Sequence, residues 1–137
     1  MSNTAVKPAT GKLGVMVVGL GAVTTTFMTG VLMTRKGLAK PVGSMTQYDR
    51  MRVGQGADKK YLRYNEIVPI ADLNDIEFAA WDVYPANAYE ASIHAEVLKE
   101  KDIEPVRDEL EAIKPLKAAF DPNYAARLHG DNVKTGT

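Results

Sequence analysis

A chain of 137 residues has room for one domain or one piece of a larger one, and 45% apolar with 25% charged residues is the make-up of an ordinary folded protein. Seventeen basic residues balance seventeen acidic ones, so no net field draws the chain to nucleic acid or to an anionic membrane surface. The absence of cysteine excludes disulfides, thiolate nucleophiles, zinc ribbons and iron–sulfur clusters, and a reducing, cytoplasmic setting is expected.

Residues 1–12 lack apolar periodicity, hold Ser, Asn, Thr and Pro, and are read as a flexible leader. From Leu13 to Met33 no residue is charged, which is long enough to span a bilayer. Four glycines and several threonines dilute that stretch, and no signal cleavage site follows it, so a buried strand and helix are expected rather than a membrane segment. The strand is LGVMVV, Leu13 to Val18, continuous and β-branched as in a central parallel strand covered on both faces. Gly19-Leu20-Gly21 makes a tight turn. A helix follows from about Val23 to Arg35, with Phe27 and Val31 on its buried side, Met28 and Met33 as further candidates, and Gly37 as its stop. Residues 40–69, punctuated by Pro41, Gly43, Gly54 and Gly56, read as an insertion with short strands. A second buried strand is expected over residues 75–83, ending at Asp82. A helix over Ala86 to Lys99 shows Tyr89, Ile93 and Val97 on one face. Another starts near Glu104, with Pro105 at its first position, and runs to about Ile113. This order suits the start of an α/β, Rossmann-like domain: an incomplete parallel sheet with helices, and an insertion between first helix and second strand.

GLG after a strand and before a helix has the first two glycines of a dinucleotide fingerprint. They permit a tight turn and close approach of backbone to a pyrophosphate at the helix N-terminus. Thr24 or Thr25 stands where a third glycine is usual, and a GxG turn also occurs as a purely structural feature. Asp82, at the carboxyl end of the second strand, has the chemistry to accept both ribose hydroxyls of NAD and to repel a 2′-phosphate. It lies about 60 residues beyond the glycines rather than the usual ~20, so it serves only if residues 40–70 are inserted; the alternative is a cap on the following turn. His94 and His129 read as surface residues, and no metal site is expected. Glu100 to Glu111 reads as a solvated helix face, and the methionines as core filler.

The motifs VMVVGLGAVTTTFMTGVL, GSMTQ (Gly43 to Gln47), RVG (Arg52 to Gly54), Val68-Pro69, WDV (Trp81 to Val83), KPL (Lys114 to Leu116) and DPNY (Asp121 to Tyr124) resemble, in order, the landmarks of myo-inositol-1-phosphate synthases. The likeness covers residues 13–137 and is closer to a bacterial branch than to eukaryotic members, whose loop reads GWGGNNG. It implies the amino-terminal NAD-binding portion of an isomerase that converts D-glucose 6-phosphate to inositol phosphate, the precursor for phospholipid synthesis, in a redox-neutral cycle. In the family NAD takes a hydride from C5, the C6 enolate closes the ring on C1, and the hydride is returned. Carried over residue by residue, NAD contacts fall on Gly19, Gly21, Ala22, Val23 and Thr24, on Asp82 for the ribose, and on Ala118 and Ala119 through backbone. Val23 and Thr24 replace the family's paired asparagines. Arg127, Leu128 and His129 stand where eukaryotic members differ, and no roles are assigned there. The family's catalytic lysines and its catalytic, tetramer-forming domain find no counterpart in this sequence, so no catalytic residue is assigned. The implied partners are the sugar phosphate and, for the complete enzyme, other copies of itself. Competing functions are a non-catalytic NAD-binding module or relic, a dehydrogenase of another class, and an interaction domain whose GLG turn binds nothing.

Overall fold

The computed structural model describes residues 7–8 and 10–134, so much of the leader expected over 1–12 lies outside the described residues. Strand β1 spans Leu13–Val18, the expected bounds, and is followed after one turn by helix α1 (Ala22–Arg35). The expected stop is obeyed in a Schellman arrangement. Gly37, at φ +69°, donates its N–H to Thr34 at 3.0 Å, and Leu38 donates to Met33 at 2.9 Å. Glycine takes that left-handed backbone without a Cβ penalty.

The insertion folds as α2 (Met45–Tyr48), an antiparallel ribbon of β2 (Arg50–Val53) with β3 (Lys60–Arg63), and α3 (Tyr64–Ile67). The chain then enters the main sheet as β4 (Ile76–Asp82), parallel to β1 in the register Leu13↔Ile76 to Val18↔Trp81. Arg35 fastens the end of α1 to the start of this strand. Its Nε donates to the Leu73 carbonyl at 2.7 Å, a second guanidinium N–H donates to the Ile76 carbonyl, and the cation lies 5.8 Å from the centre of the Phe78 ring.

Helices α4 (Ala88–Ala95), α5 (Glu100–Ile103) and α6 (Arg107–Ala112) lead to β5 (Leu116–Lys117), which pairs in parallel with β4. The sheet order is β1-β4-β5. Both crossovers step the same way across the sheet, so the right-handed rule puts α1, α4 and α6 on one face, where they pack on one another. Met28, Leu32, Ala80, Ile103, Val106 and Leu110 form the core between these helices and the sheet.

The α/β class and parallel sheet stand, but several local expectations are corrected. Among the described residues β1 is an edge strand rather than a central one, and Val18 is 89% exposed. Phe27 is exposed and meets Phe78 edge-on, while Thr25 and Thr29 are buried beside Met28, Val31 and Leu32. Thr25 tolerates this because its hydroxyl donates back to the Gly21 carbonyl at 3.1 Å. The helix expected over residues 86–99 ends at Ala95, where Glu96 turns left-handed at φ 54°. Ile93 and Val97 are exposed, and α4 buries Ala88 and Ser92 instead. Small side chains let it lie close to its neighbours, a choice periodicity does not register. Helix formation on the far side starts at Glu100, not Glu104. Pro105 sits in a 3-10 turn, Glu104–Val106, because without an N–H it cannot continue an α-helical ladder. The two residues of β5 were not expected as a strand.

Candidate NAD-binding site

The end of β1 and the end of β4 are tied together at the glycine turn. Gly19, at φ +95°, donates its N–H to the Trp81 carbonyl at 2.7 Å and so carries the strand pairing one step further. Leu20 then donates its N–H to Asp82 Oδ2 at 2.6 Å, while Tyr84 donates its N–H to Asp82 Oδ1 at 2.9 Å. A Cβ built on Gly19 would stand 4.0 Å from Asp82 Oδ2, so its requirement for glycine is the backbone angle more than space. One carboxylate therefore clamps both turns. Each oxygen uses one lone-pair direction on backbone and keeps another for a ligand hydroxyl.

Gly21 is the N-cap of α1. No side chain caps the helix, no acid stands in its first turn, and a Cβ placed on Gly21 would meet nothing within 4 Å. The first-turn N–H groups have no partner within the helix, and the positive dipole end is not neutralised, which is the arrangement that receives a phosphate. A pyrophosphate with a sugar diol beside it fits these residues: donors at the helix start and an acceptor carboxylate fixed by the same turn.

Two clefts meet at Asp82. One, of about 780 Å³, runs from Leu20, Gly21 and Ala22 past Asp82 to Tyr84, Pro85 and Ala86, and is closed by Glu90 and His94 of α4. The other, of about 570 Å³, is lined by Val18, Gly19, Trp81, Asp82, Val83, Ala118, Ala119 and Phe120. The structure thus brings together Gly19, Gly21, Ala22, Asp82, Ala118 and Ala119. Val23, 85% exposed, and Thr24 line neither cleft. His94, read as a surface residue, is exposed but faces the larger cleft.

Sequence reasoning missed the buttress behind Asp82. Asn132 donates its side-chain amide to the carbonyls of Asp82, at 2.9 Å, and Leu116, at 3.2 Å, and its backbone N–H to Val83 at 2.8 Å. Its own carbonyl accepts from Ala118, and Val133 bridges to Ala118 in parallel. Gly130 lies so close to the strand that a Cβ there would be 2.2 Å from the Val83 carbonyl oxygen. The only cue was Gly-Asp-Asn at residues 130–132, an unspecific turn signal. Among the described residues no group of three His, Asp or Glu is placed to hold a metal, and no helix is long and apolar enough to cross a membrane.

The sequence model of the family described as myo-inositol-1-phosphate synthase, in its NAD-binding part, matches residues 13–137. The chain belongs to this family. Inositol-3-phosphate synthase 1 of Bacteroides thetaiotaomicron is 58% identical over 130 residues, which cover 94% of this chain and 30% of that protein. Inositol-3-phosphate synthase 1 of Oryza sativa subsp. japonica is 33% identical over 141 residues, covering 92% and 28% respectively. The crystal structure of inositol-3-phosphate synthase from Caenorhabditis elegans superposes with a TM-score of 0.78 at 26% identity, over 95% of this chain and 28% of that one. The chain therefore spans about 30% of the length of the relative from Bacteroides and corresponds to the NAD-binding portion of the myo-inositol-1-phosphate synthases.

Proposed function

We propose that this chain holds NAD across the glycine turn and so supplies the cofactor cradle of an inositol-3-phosphate synthase, which isomerises D-glucose 6-phosphate to 1D-myo-inositol 3-phosphate. The observation that carries the reading is the Asp82 carboxylate, bound to Leu20 N–H at 2.6 Å and so fixed beside the uncapped start of α1. NAD, once bound, supplies reversible hydride acceptance. This chain's residues hold it in place. Backbone N–H groups of Gly21, Ala22, Val23 and Thr24 meet the pyrophosphate, and Asp82 accepts from the ribose hydroxyls. Gly19 gives the turn its shape, and Ala118 and Ala119 line the second cleft, although the Ala118 N–H and carbonyl are already bonded to Asn132 and Lys134. Val23 and Thr24 line neither cleft, and what they offer on this reading is the N–H groups of the first turn of α1. The base and the cations that stabilise enolate and alkoxide belong to other parts of the family's enzymes.

The same proposal extends to residues 13–137 as the amino-terminal part of the Rossmann domain, to a cytoplasmic isomerase feeding phospholipid synthesis, and to work as a homo-oligomer. Its support there is the family membership. Titration of the chain with NAD, followed by fluorescence of Trp81, tests the cradle directly, because that single tryptophan lines the second cleft next to Asp82. Saturable quenching is expected. A flat titration confirmed by calorimetry would remove the cofactor reading and leave the turn as a structural feature.

A further inference from the structure

Glu90 is held in place by a reciprocal capping box. Its carboxylate accepts the Asn87 N–H at 3.0 Å, while the Asn87 side chain accepts the Glu90 N–H at 2.9 Å. With one oxygen pinned, the charge cannot swing away as a free surface glutamate would. It stands on the wall of the cleft that begins at Gly21 and passes Asp82, and no lysine or arginine lines that cleft among the described residues. The space leading from Asp82 is therefore lined by two carboxylates and by no basic side chain other than the His94 imidazole. A 2′-phosphomonoester carries close to two negative charges at neutral pH, so it would enter against both.

We propose that Glu90 is a second determinant of NAD over NADP, acting beside Asp82 as a fixed charge on the cleft wall. This rests on the cofactor reading above and adds a residue to it. On that reading Asp82 rejects the 2′-phosphate by direct repulsion where it would accept the ribose hydroxyls, whereas Glu90 acts at longer range through its field. The effect is accordingly modest and screened by salt, since the side chain is exposed.

The test uses the full chain in three forms: wild type, Glu90→Gln and Glu96→Gln. Glutamine keeps the capping box, because its amide oxygen accepts the Asn87 N–H in the same way, so the variant changes charge and not the helix start. Glu96 is exposed, ends the same helix and lines neither cleft, which makes it the control for net charge. Affinities for NAD and NADP are measured by Trp81 fluorescence and calorimetry at low ionic strength and again in about 1 M salt. Glu90→Gln is expected to move the ratio of dissociation constants toward NADP by roughly threefold to tenfold at low salt, and by far less at high salt. Glu96→Gln is expected to leave the ratio alone. An unmoved ratio in Glu90→Gln, an equal shift in Glu96→Gln, or a shift indifferent to salt would each overturn the role of Glu90 while leaving NAD binding intact. A wild-type chain that binds neither nucleotide would overturn both this inference and the cofactor reading.

Discussion

Replacing Asp82 with alanine should separate the two tasks its carboxylate performs. In the folded chain it accepts the N–H of Leu20 at 2.6 Å, part-buried, and of Tyr84 at 2.9 Å, exposed. A hydrogen bond to a charged group contributes about 1.5–3 kcal/mol when shielded and nearer 0.5–1.5 kcal/mol in the open, so their joint loss should cost about 2–4 kcal/mol of folding stability. Urea unfolding followed by Trp81 fluorescence reads this as a lower midpoint at unchanged slope. The second task is acceptance of the ribose diol, worth about 1–3 kcal/mol, or roughly a 5- to 150-fold loss in NAD affinity. Calorimetry at low urea, where the variant is still folded, measures that loss apart from the first. ADP-ribose should lose affinity by the same factor as NAD, because the deleted contact lies in the half they share. A variant that is destabilised as expected yet binds NAD within a factor of two of wild type would make Asp82 a structural clamp only, and would refute its place at the ribose.

Gly130→Ala would press a methyl group to within 2.2 Å of the Val83 carbonyl oxygen and 2.7 Å of Val83 Cβ. The tail must then move, at a cost of about 1–3 kcal/mol, and Asn132 with it, so a lower melting temperature and weaker NAD binding are expected together; an unchanged melt would count against the buttress. Leu110→Ala empties a fully buried position beside Met28, Ile103 and Val106, and should cost about 2–5 kcal/mol in urea melts, whereas a loss under 1 kcal/mol would show a loosely packed core. The Lys36 ammonium, 2.6 Å from Glu109 Oε1, holds that carboxyl below its ordinary 4.5, chiefly through this hydrogen bond. A depressed folded value means stabilisation that is complete above the unfolded value and lost as pH falls through the folded one. Both side chains are more than a third exposed, so about 0.2–1 kcal/mol is at stake. The melting-temperature gap between wild type and Lys36→Met should therefore narrow as pH drops below about 4.5. A gap constant from pH 7 into acid would assign the whole effect to the Lys36 bond with the Pro105 carbonyl at 2.8 Å.

The glycine turn, the strand before it and the acid at the end of β4 were legible in the sequence because each is dictated locally. An apolar β-branched run makes a strand, though burial on both faces did not follow for β1; glycine alone bears φ +95° at residue 19 without a Cβ penalty, and the carboxylate follows the strand that carries it. The helix stop at Gly37 was readable for the same reason. What no window of residues contained was distance across the chain. Asp82 lies 62 residues beyond Leu20 and reaches it only because residues 40–69 leave the sheet as a ribbon of their own and return in register at Ile76. The helix faces were misjudged because burial was decided by how closely α1, α4 and α6 approach. That spacing selected Thr25, Thr29, Ala88 and Ser92 over the larger Phe27, Ile93 and Val97. Asn132 and Gly130 were invisible for a similar reason, since their importance is a matter of which distant carbonyls the fold brings beside them and not of their own chemistry. Local sterics set the turn, and long-range packing set what stands around it.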